Sequence, residues 1–529
     1  MNKDKRVFNH DIIIFMMKPN LKNVSLGIIL AIFSVFIAYH SINHPNLFGD
    51  TGLFYSTVHS IFYNNTSETY MFGSNARLLF TLDIPVMEPQ EVCNKATKYL
   101  QLSSNDKDFL LYHTNYFYYL LAPFQFFLTA PIIVHGTLSL TFVVLAYLIF
   151  LNFKNNGLPV FLSLILMMSF ILHPGWSHTI FGQPFVDMYY LIFGFLICYF
   201  EDKKNTKLLL IIWILSLLIN EKIMIMNSIF LIGIFLVNLI KKQKDKRHNI
   251  YILIMGLASL LLFIYATKFI LTNPYYSSAV PNSIESLINY ILSPRGSMGI
   301  FSIILVNIFL LLPIFLKDKL IFLLILALMS PNIFGNIGGA EKVNFFTHYH
   351  CLYIPFLFYY SSKFIGEYLG NLNNKKTPTL VLSVILFLFY SSIHFDNNLK
   401  PVFKNFSKNN NYYKEFFKNS YSYSEIKQDI EFNIPKESKV VAVEGALPFL
   451  YDYDEVYQYP MFMDEAEYMI TYFNDDDKNN FQGYTSFISS EKEEETNECL
   501  YKKGQEFNFN YKNHIKINGT NLTIIKKLN

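Results

Sequence analysis

The chain has 529 residues, 52% of them hydrophobic and 17% aromatic, with a formal net charge of only +3. The mean hydropathy of +0.27 averages over two unlike parts: residues 1–393 carry eleven apolar stretches, and residues 394–529 are polar and rich in Asn, Lys, Asp, Glu and Tyr. Its cations fall in turns between apolar stretches and leave no basic face, which excludes a nucleic-acid partner.

Apolar runs of about 15–23 residues can cross a hydrocarbon core about 30 Å thick. There they must be helical, because no water satisfies the backbone. Lys3, Lys5, Arg6, Lys18 and Lys22 hold the N-terminus in the cytoplasm by the positive-inside rule. Span 1 is predicted at 24–42; no small-residue cleavage site follows it, so it reads as a retained anchor. A first outer loop covers 43–115, and the short apolar stretch 116–128 is expected to lie along or dip into the outer face. Further spans are predicted at 131–152, 158–173, 186–200, 207–219, 223–240, 250–271, 299–316, 320–333, 351–366 and 378–393. Lys154, EDKKNTK, KKQKDKR, Lys317-Asp318-Lys319 and Lys375-Lys376 then fall on the cytoplasmic side, with only Lys222, Arg295 and Lys342 in short outer turns.

Eleven spans leave the C-terminal region outside. There VVAVEGALPFL reads as a buried strand running into a turn or helix start, EAEYMITYF as a second strand, and IKINGTNLTIIKKL as a hairpin around Asn518-Gly519. Residues 396–425 read as a helical connector, and the acidic runs 475–477 and 491–495 as solvated loops. The expected fold class is mainly α: a polytopic helical membrane protein of about 11 spans over 1–393, with a small outer α/β region at 394–529. Of the four cysteines, Cys198 and Cys351 fall in predicted spans, and Cys93 and Cys499 both face outward, where they could pair. None has metal-ligand spacing.

The candidate functional residues gather at the outer ends of the spans. Asp50, just beyond span 1, suits a base for an acceptor hydroxyl or a metal ligand; its setting before Thr51-Gly52 also suits a helix N-cap. His113 punctuates an apolar segment and reads as a phosphate or acceptor contact, or as an interfacial histidine. Glu221 and Lys222 occupy a tight outer turn, where ionisable groups near the bilayer point to function; the alternative is an ordinary exposed connection. Arg77, Arg295 and Lys342, with Lys222, could receive a lipid-linked phosphate, or snorkel to the interface. His348 and His350 sit at the mouth of a span, and their i, i+2 spacing puts them on different helix faces, against a shared metal. Asp187 lies just inside span 4. No Walker, GxGxxG, HExxH or GxSxG motif supports nucleotide-driven transport or soluble hydrolase chemistry.

Four stretches give the chain a resemblance to a family of bacterial and archaeal predicted membrane proteins related to the GT-C membrane glycosyltransferases. They are FGDTGLFYS, YHTNYFYYLLAPFQFFLTAP, INEKIMIMNSIFLIGIF, and IPKESKVVAVEGALPFLYDYDEVYQYP with EAEYMI beyond it. Lys222 stands where that family usually has a second acidic residue, and Gln183 where it often has a histidine, so cofactor need stays unknown and a divalent metal stays open. The resemblance implies transfer of a sugar from a polyprenyl-phosphate donor to an envelope glycan, lipid or protein acceptor at the outer face of a bacterial inner membrane. Asp50 would take or orient the acceptor proton, and Arg77 and Arg295 would stabilise the departing phosphate. His113, Glu221, His348 and His350 would shape the pocket, with Gln183 and Lys222 touching phosphate or sugar directly. The rival readings are a transporter, flippase or polymerase of lipid-linked sugars, and a non-catalytic scaffold. Few charges at midspan weigh against a transporter, and a large first loop rather than a late one weighs against a polymerase.

Overall fold

The computed structural model describes residues 21–43, 49–69, 110, 113–173, 184–271, 283–334, 348–371, 384–390, 422–459, 462–472 and 490–528. These form a mainly helical body and a small C-terminal sheet. In chain order the helices of the body are α1 (Leu21–Ile42), α2 (Gly49–Tyr63), α3 (Phe117–Leu121), α4 (Ala130–Asn155), α5 (Val160–Ile171), α6 (Tyr190–Asp202), α7 (Thr206–Leu217), α8 (Glu221–Ile240), α9 (Lys246–Tyr265), α10 (Ile284–Leu292), α11 (Pro294–Lys317), α12 (Lys319–Phe334) and α13 (Ile354–Asn371). A 3-10 turn, Ala122–Phe126, extends α3; two others, Val186–Tyr189 and His348–Leu352, lead into α6 and α13.

The helix starts follow from local chemistry. Asn205 accepts from the Leu208 N–H at 3.2 Å, Asn220 from Ile223 at 3.2 Å and Asp245 from His248 at 3.1 Å, each satisfying a backbone donor that has no intrahelical partner. The helices coincide in order with the predicted spans, but their lengths correct the expected number. Among the described residues, three helices are long and apolar enough to cross a membrane: Ala130–Asn155, Glu221–Ile240 and Lys246–Ile270. α5 and α7 have 12 residues each, which at 1.5 Å per residue is about 18 Å, short of a hydrocarbon core of about 30 Å.

Around an apolar core the body buries several polar side chains and leaves large apolar ones exposed. Asn227, Asn307, Ser216 and Ser361 are wholly buried, while Phe127, Leu261 and Leu316 are 80%, 66% and 74% exposed. Close helix approach sets the site: a Cβ on Gly194 of α6 would lie 2.7 Å from the Pro355 ring of α13, so the segments preceding these two helices are drawn together. Small residues at such crossings are the usual means of tight packing between apolar helices.

The C-terminal domain opens with α14 (Tyr423–Asn433), followed by β1 (Lys439–Ala442), a 3-10 turn (Glu444–Phe449), β2 (Glu455–Gln458), β3 (Tyr468–Tyr472), α15 (Ser490–Glu506), β4 (Phe509–Lys516) and β5 (Leu522–Lys527). The sheet order is β2-β1-β3-β5-β4; β1 pairs parallel with β2 and β3, and β5 antiparallel with β3 and β4. The hairpin turns at Asn518-Gly519, with Gly519 at φ +73°, a conformation glycine adopts without cost. The acidic run 491–495, expected as a loop, lies instead within α15. Strand β2 was not anticipated; it is four residues long. The run 475–477 and most of the 396–425 connector lie outside the described residues.

This domain sits on α2. The Leu447 backbone meets Gly52 so closely that a Cβ there would come within 2.6 Å of the Leu447 carbonyl carbon. The Tyr423 N–H donates to Asn43 Oδ1 at 2.9 Å. Tyr451 packs edge-on against Tyr55 and His59 while Lys427 lies over its ring at 4.5 Å. Burial alone would raise the Asp452 carboxyl, but Lys427 and Lys436 outweigh it and hold it below the usual range; burial lowers His59. Gly52→Ala overpacks this contact, which typically costs about 1–3 kcal/mol. The expected result is faster tryptic release of the C-terminal domain than from the wild type; equal rates would show the contact to be dispensable.

Candidate functional site

Asn220 caps α8, so Glu221 and Lys222 fall in its first turn. Instead of the exposed connection that a short turn suggests, both are buried, Glu221 at 0% and Lys222 at 8% exposure. The Glu221 carboxylate is fully engaged. Its Oε1 lies 2.8 Å from His113 Nδ1, and its Oε2 accepts from the Thr114 N–H at 3.0 Å and the Thr114 hydroxyl at 3.3 Å. With the carboxylate ionised it can only accept, and the proton of that bond sits on His113 Nδ1. The Phe117 N–H donates to the Leu218 carbonyl at 2.7 Å, which ties the His113 segment to the α7–α8 turn.

Lys222 reaches the other way. Its Nζ lies 3.3 Å from Asp187 Oδ2, with side-chain exposures of 10% and 3%. Asp187 is in the 3-10 turn before α6, and its main-chain oxygen accepts from the Cys351 thiol at 3.4 Å. That contact clasps the two 3-10 turns brought together by the α6–α13 crossing. Beyond it His350, wholly buried, bonds through Nδ1 to the Tyr353 hydroxyl at 3.0 Å. Tyr353 accepts from Asn307 at 3.3 Å, and His173 Nε2 bonds Asn307 Oδ1 at 3.0 Å. One polar layer therefore crosses the apolar body, at one end of α6, α8 and α13. Ion pairs such as Asp202–Lys363, Lys241–Asp318 and Lys317–Glu367 tie the opposite ends of α6, α8, α11 and α13.

α2 joins this layer through Phe54, whose ring packs against Tyr118 at 6.1 Å and Phe185 at 5.7 Å between centroids. Those rings flank the His113 segment and the turn holding Asp187. Asp50 is one helical turn before Phe54. It lies within the first turn of α2 rather than at the cap, where a negative charge also suits the helix dipole. Further along α2, Tyr55 bonds His135 Nε2, and Gln125 Nε2 donates to the Val58 carbonyl at 2.6 Å.

The structure thus gathers His113, Glu221 and Lys222, and links them through Asp187 and Cys351 to His350. Arg77, Gln183 and Lys342 lie outside the described residues; of Asp50, Arg295 and His348 only the backbone is described, Arg295 in the first turn of α11 and His348 opening its 3-10 turn. Thr114, His173, Asn307 and Tyr353 join the polar layer without having been singled out, and His135, also not singled out, bonds Tyr55 of α2. Only Tyr353 had a usable signal, three residues beyond His350. Among the described residues no group of three or more His, Cys, Asp or Glu is placed to hold a metal. The arrangement suits recognition of a polar or anionic group beside the partly exposed His113. No family model matches the chain, and no curated protein matches its sequence.

Proposed function

We propose that the chain is an integral membrane glycosyltransferase of GT-C type, moving a sugar from a polyprenyl-phosphate donor to an envelope glycan, lipid or protein acceptor. The observation that carries this reading is the pair of buried ionisable couples, His113–Glu221 and Lys222–Asp187, gathered at the starts of α6 and α8 and adjoined by the helix that bears Asp50. Buried charges are costly unless paired, and membrane helices hold them mainly where function needs them.

In this reading the acceptor hydroxyl attacks the anomeric carbon, the bond from that carbon to the donor phosphate oxygen breaks, and polyprenyl phosphate leaves with the bonding pair. Asp50 takes the hydroxyl proton. His113 has the largest exposure of the two pairs, 19%, and is assigned to the donor phosphate with Glu221 fixing its ring. Lys222, neutralised by Asp187, positions the turn; Arg77 and Arg295 are assigned to the negative charge that grows on the phosphate. The shorter apolar helices are read as embedded beside the three long ones. Mass spectrometry of envelope glycans in a deletion strain tests this: complementation by the wild-type chain should restore a missing sugar, and a full complement of glycans in the deletion strain would sink it.

The C-terminal domain is read as periplasmic, with the N-terminus cytoplasmic. Cys499 is disulfide-bonded, whereas Cys198 and Cys351 are free and buried; Cys93 lies outside the described residues. Disulfides persist in oxidising compartments, which supports this side for the domain. A membrane-impermeant maleimide should therefore label Cys499 in intact spheroplasts only after an impermeant reductant. Labelling confined to lysed cells would place the domain inside.

A further inference from the structure

The carboxyl end of the parallel strands in the C-terminal domain carries polar groups that neither ion pair uses. β1 feeds β2 on one side, and the next strand, β3, pairs on the other side of β1. In open α/β sheets such a reversal leaves a crevice outside the carboxyl ends of the strands, where ligands bind. The register settles which side chains share it. Ala442 is opposite Gln458 on β2 and Ile470 on β3. Tyr472, two residues past Ile470 on β3, shares that face because side chains alternate along a strand, and Glu444, which opens the 3-10 turn just beyond β1, is brought to it by its bond to Gln458. Small side chains lie between them: Ala442 in the middle row, and Gly445, where a Cβ would be 2.2 Å from the Tyr472 hydroxyl.

Gln458 is 7% exposed and donates through Nε2 to Glu444 Oε1 at 2.9 Å. That bond fixes the amide, because the reverse orientation would set two oxygens together. Its Oε1 is buried and has no hydrogen-bond partner among the described residues. A buried acceptor left unpaired typically costs about 1–3 kcal/mol, so a donor from a ligand would be bound with advantage. The carboxylate and amide oxygens together favour a ligand rich in O–H donors and disfavour phosphate. Leu447, three residues past Glu444, rests on Gly52 of α2, so the rim of this crevice adjoins the helix bearing Asp50.

We propose that Glu444, Gln458 and Tyr472 form a carbohydrate-binding crevice that holds a polyhydroxylated ligand by its hydroxyl groups. Its role as the acceptor subsite rests on the transferase reading; binding itself does not. The test is retention of the full-length protein, in nanodiscs, on an array of bacterial envelope oligosaccharides. Wild type should be retained on a defined set of glycans, and Glu444→Gln and Gln458→Leu should each lose about tenfold or more in affinity, the scale of one hydrogen bond to a charged or buried group. Tyr472→Phe keeps the ring and guards against misfolding as the cause: it should bind more weakly than wild type with an unchanged melting profile. Glycan retention lost in these variants while the deletion strain keeps all its glycans would uphold the crevice and discard the transferase. No wild-type retention, or retention indifferent to Glu444 and Gln458, would overturn the crevice.

Discussion

Asp50→Asn is expected to slow sugar transfer by about 10²–10⁴-fold, the usual contribution of a positioned general base, with little change in membrane abundance. The amide keeps the size of the carboxylate and loses only its basicity and charge. At the first turn of α2 the lost charge costs about 0.3–1 kcal/mol of helix-dipole interaction, too little to unfold the chain. The measurement is sugar transfer in membranes from the deletion strain, normalised to protein amount, with the pH profile recorded beside it. A variant that transfers at the wild-type rate would reduce Asp50 to a helix-start residue and leave the transferase reading without its base.

The largest loss of stability is expected from Lys222→Met. It removes the ammonium from a pair whose side chains are 10% and 3% exposed and takes that counter-charge from the Asp187 carboxylate. Breaking a buried pair from one side typically costs about 3–5 kcal/mol, whereas replacing both partners is often near neutral. The single variant should therefore melt well below wild type in detergent, and Asp187→Asn combined with Lys222→Met should recover most of the loss. The clasp from Cys351 to the Asp187 main-chain oxygen survives in both, so the comparison isolates the charges. If the double variant is no better than the single one, Lys222 contributes by packing rather than by pairing. Activity separates the roles further, because a stable double variant that transfers normally would confine this pair to scaffolding.

The order of the helices was readable because apolar runs and the lysines between them obey strong one-dimensional rules. Their bounds were readable too, mostly to within a few residues, as for α7 at Thr206–Leu217 against an expected 207–219; what the apolar pattern overstated was how many are long enough to cross, since α5 and α7 stop after 12 residues each. Glu221 and Lys222 were picked out by being ionisable next to a span. Their burial was not readable, since it depends on His113 arriving from 108 positions away and Asp187 from 35. Asn307 and His173 looked like ordinary polar residues, because pairing across 134 positions leaves no local trace. In the C-terminal domain, β1, β3 and the hairpin carry clear apolar and turn patterns. β2 is a four-residue strand, EVYQ, whose strand character comes from pairing with β1.

The seat of Leu447 on Gly52 also orders the biosynthesis of the chain. Nearly four hundred residues separate the two, and at translation speeds of about 5–20 residues per second α2 waits roughly 20–80 s for its cover. Until then the helix rests on the body alone, through Phe54 against Tyr118 and Phe185 and Tyr55 against His135, and the face that carries Gly52 has no cover. A nascent chain cut short before the 3-10 turn at Glu444–Phe449 would leave that face bare.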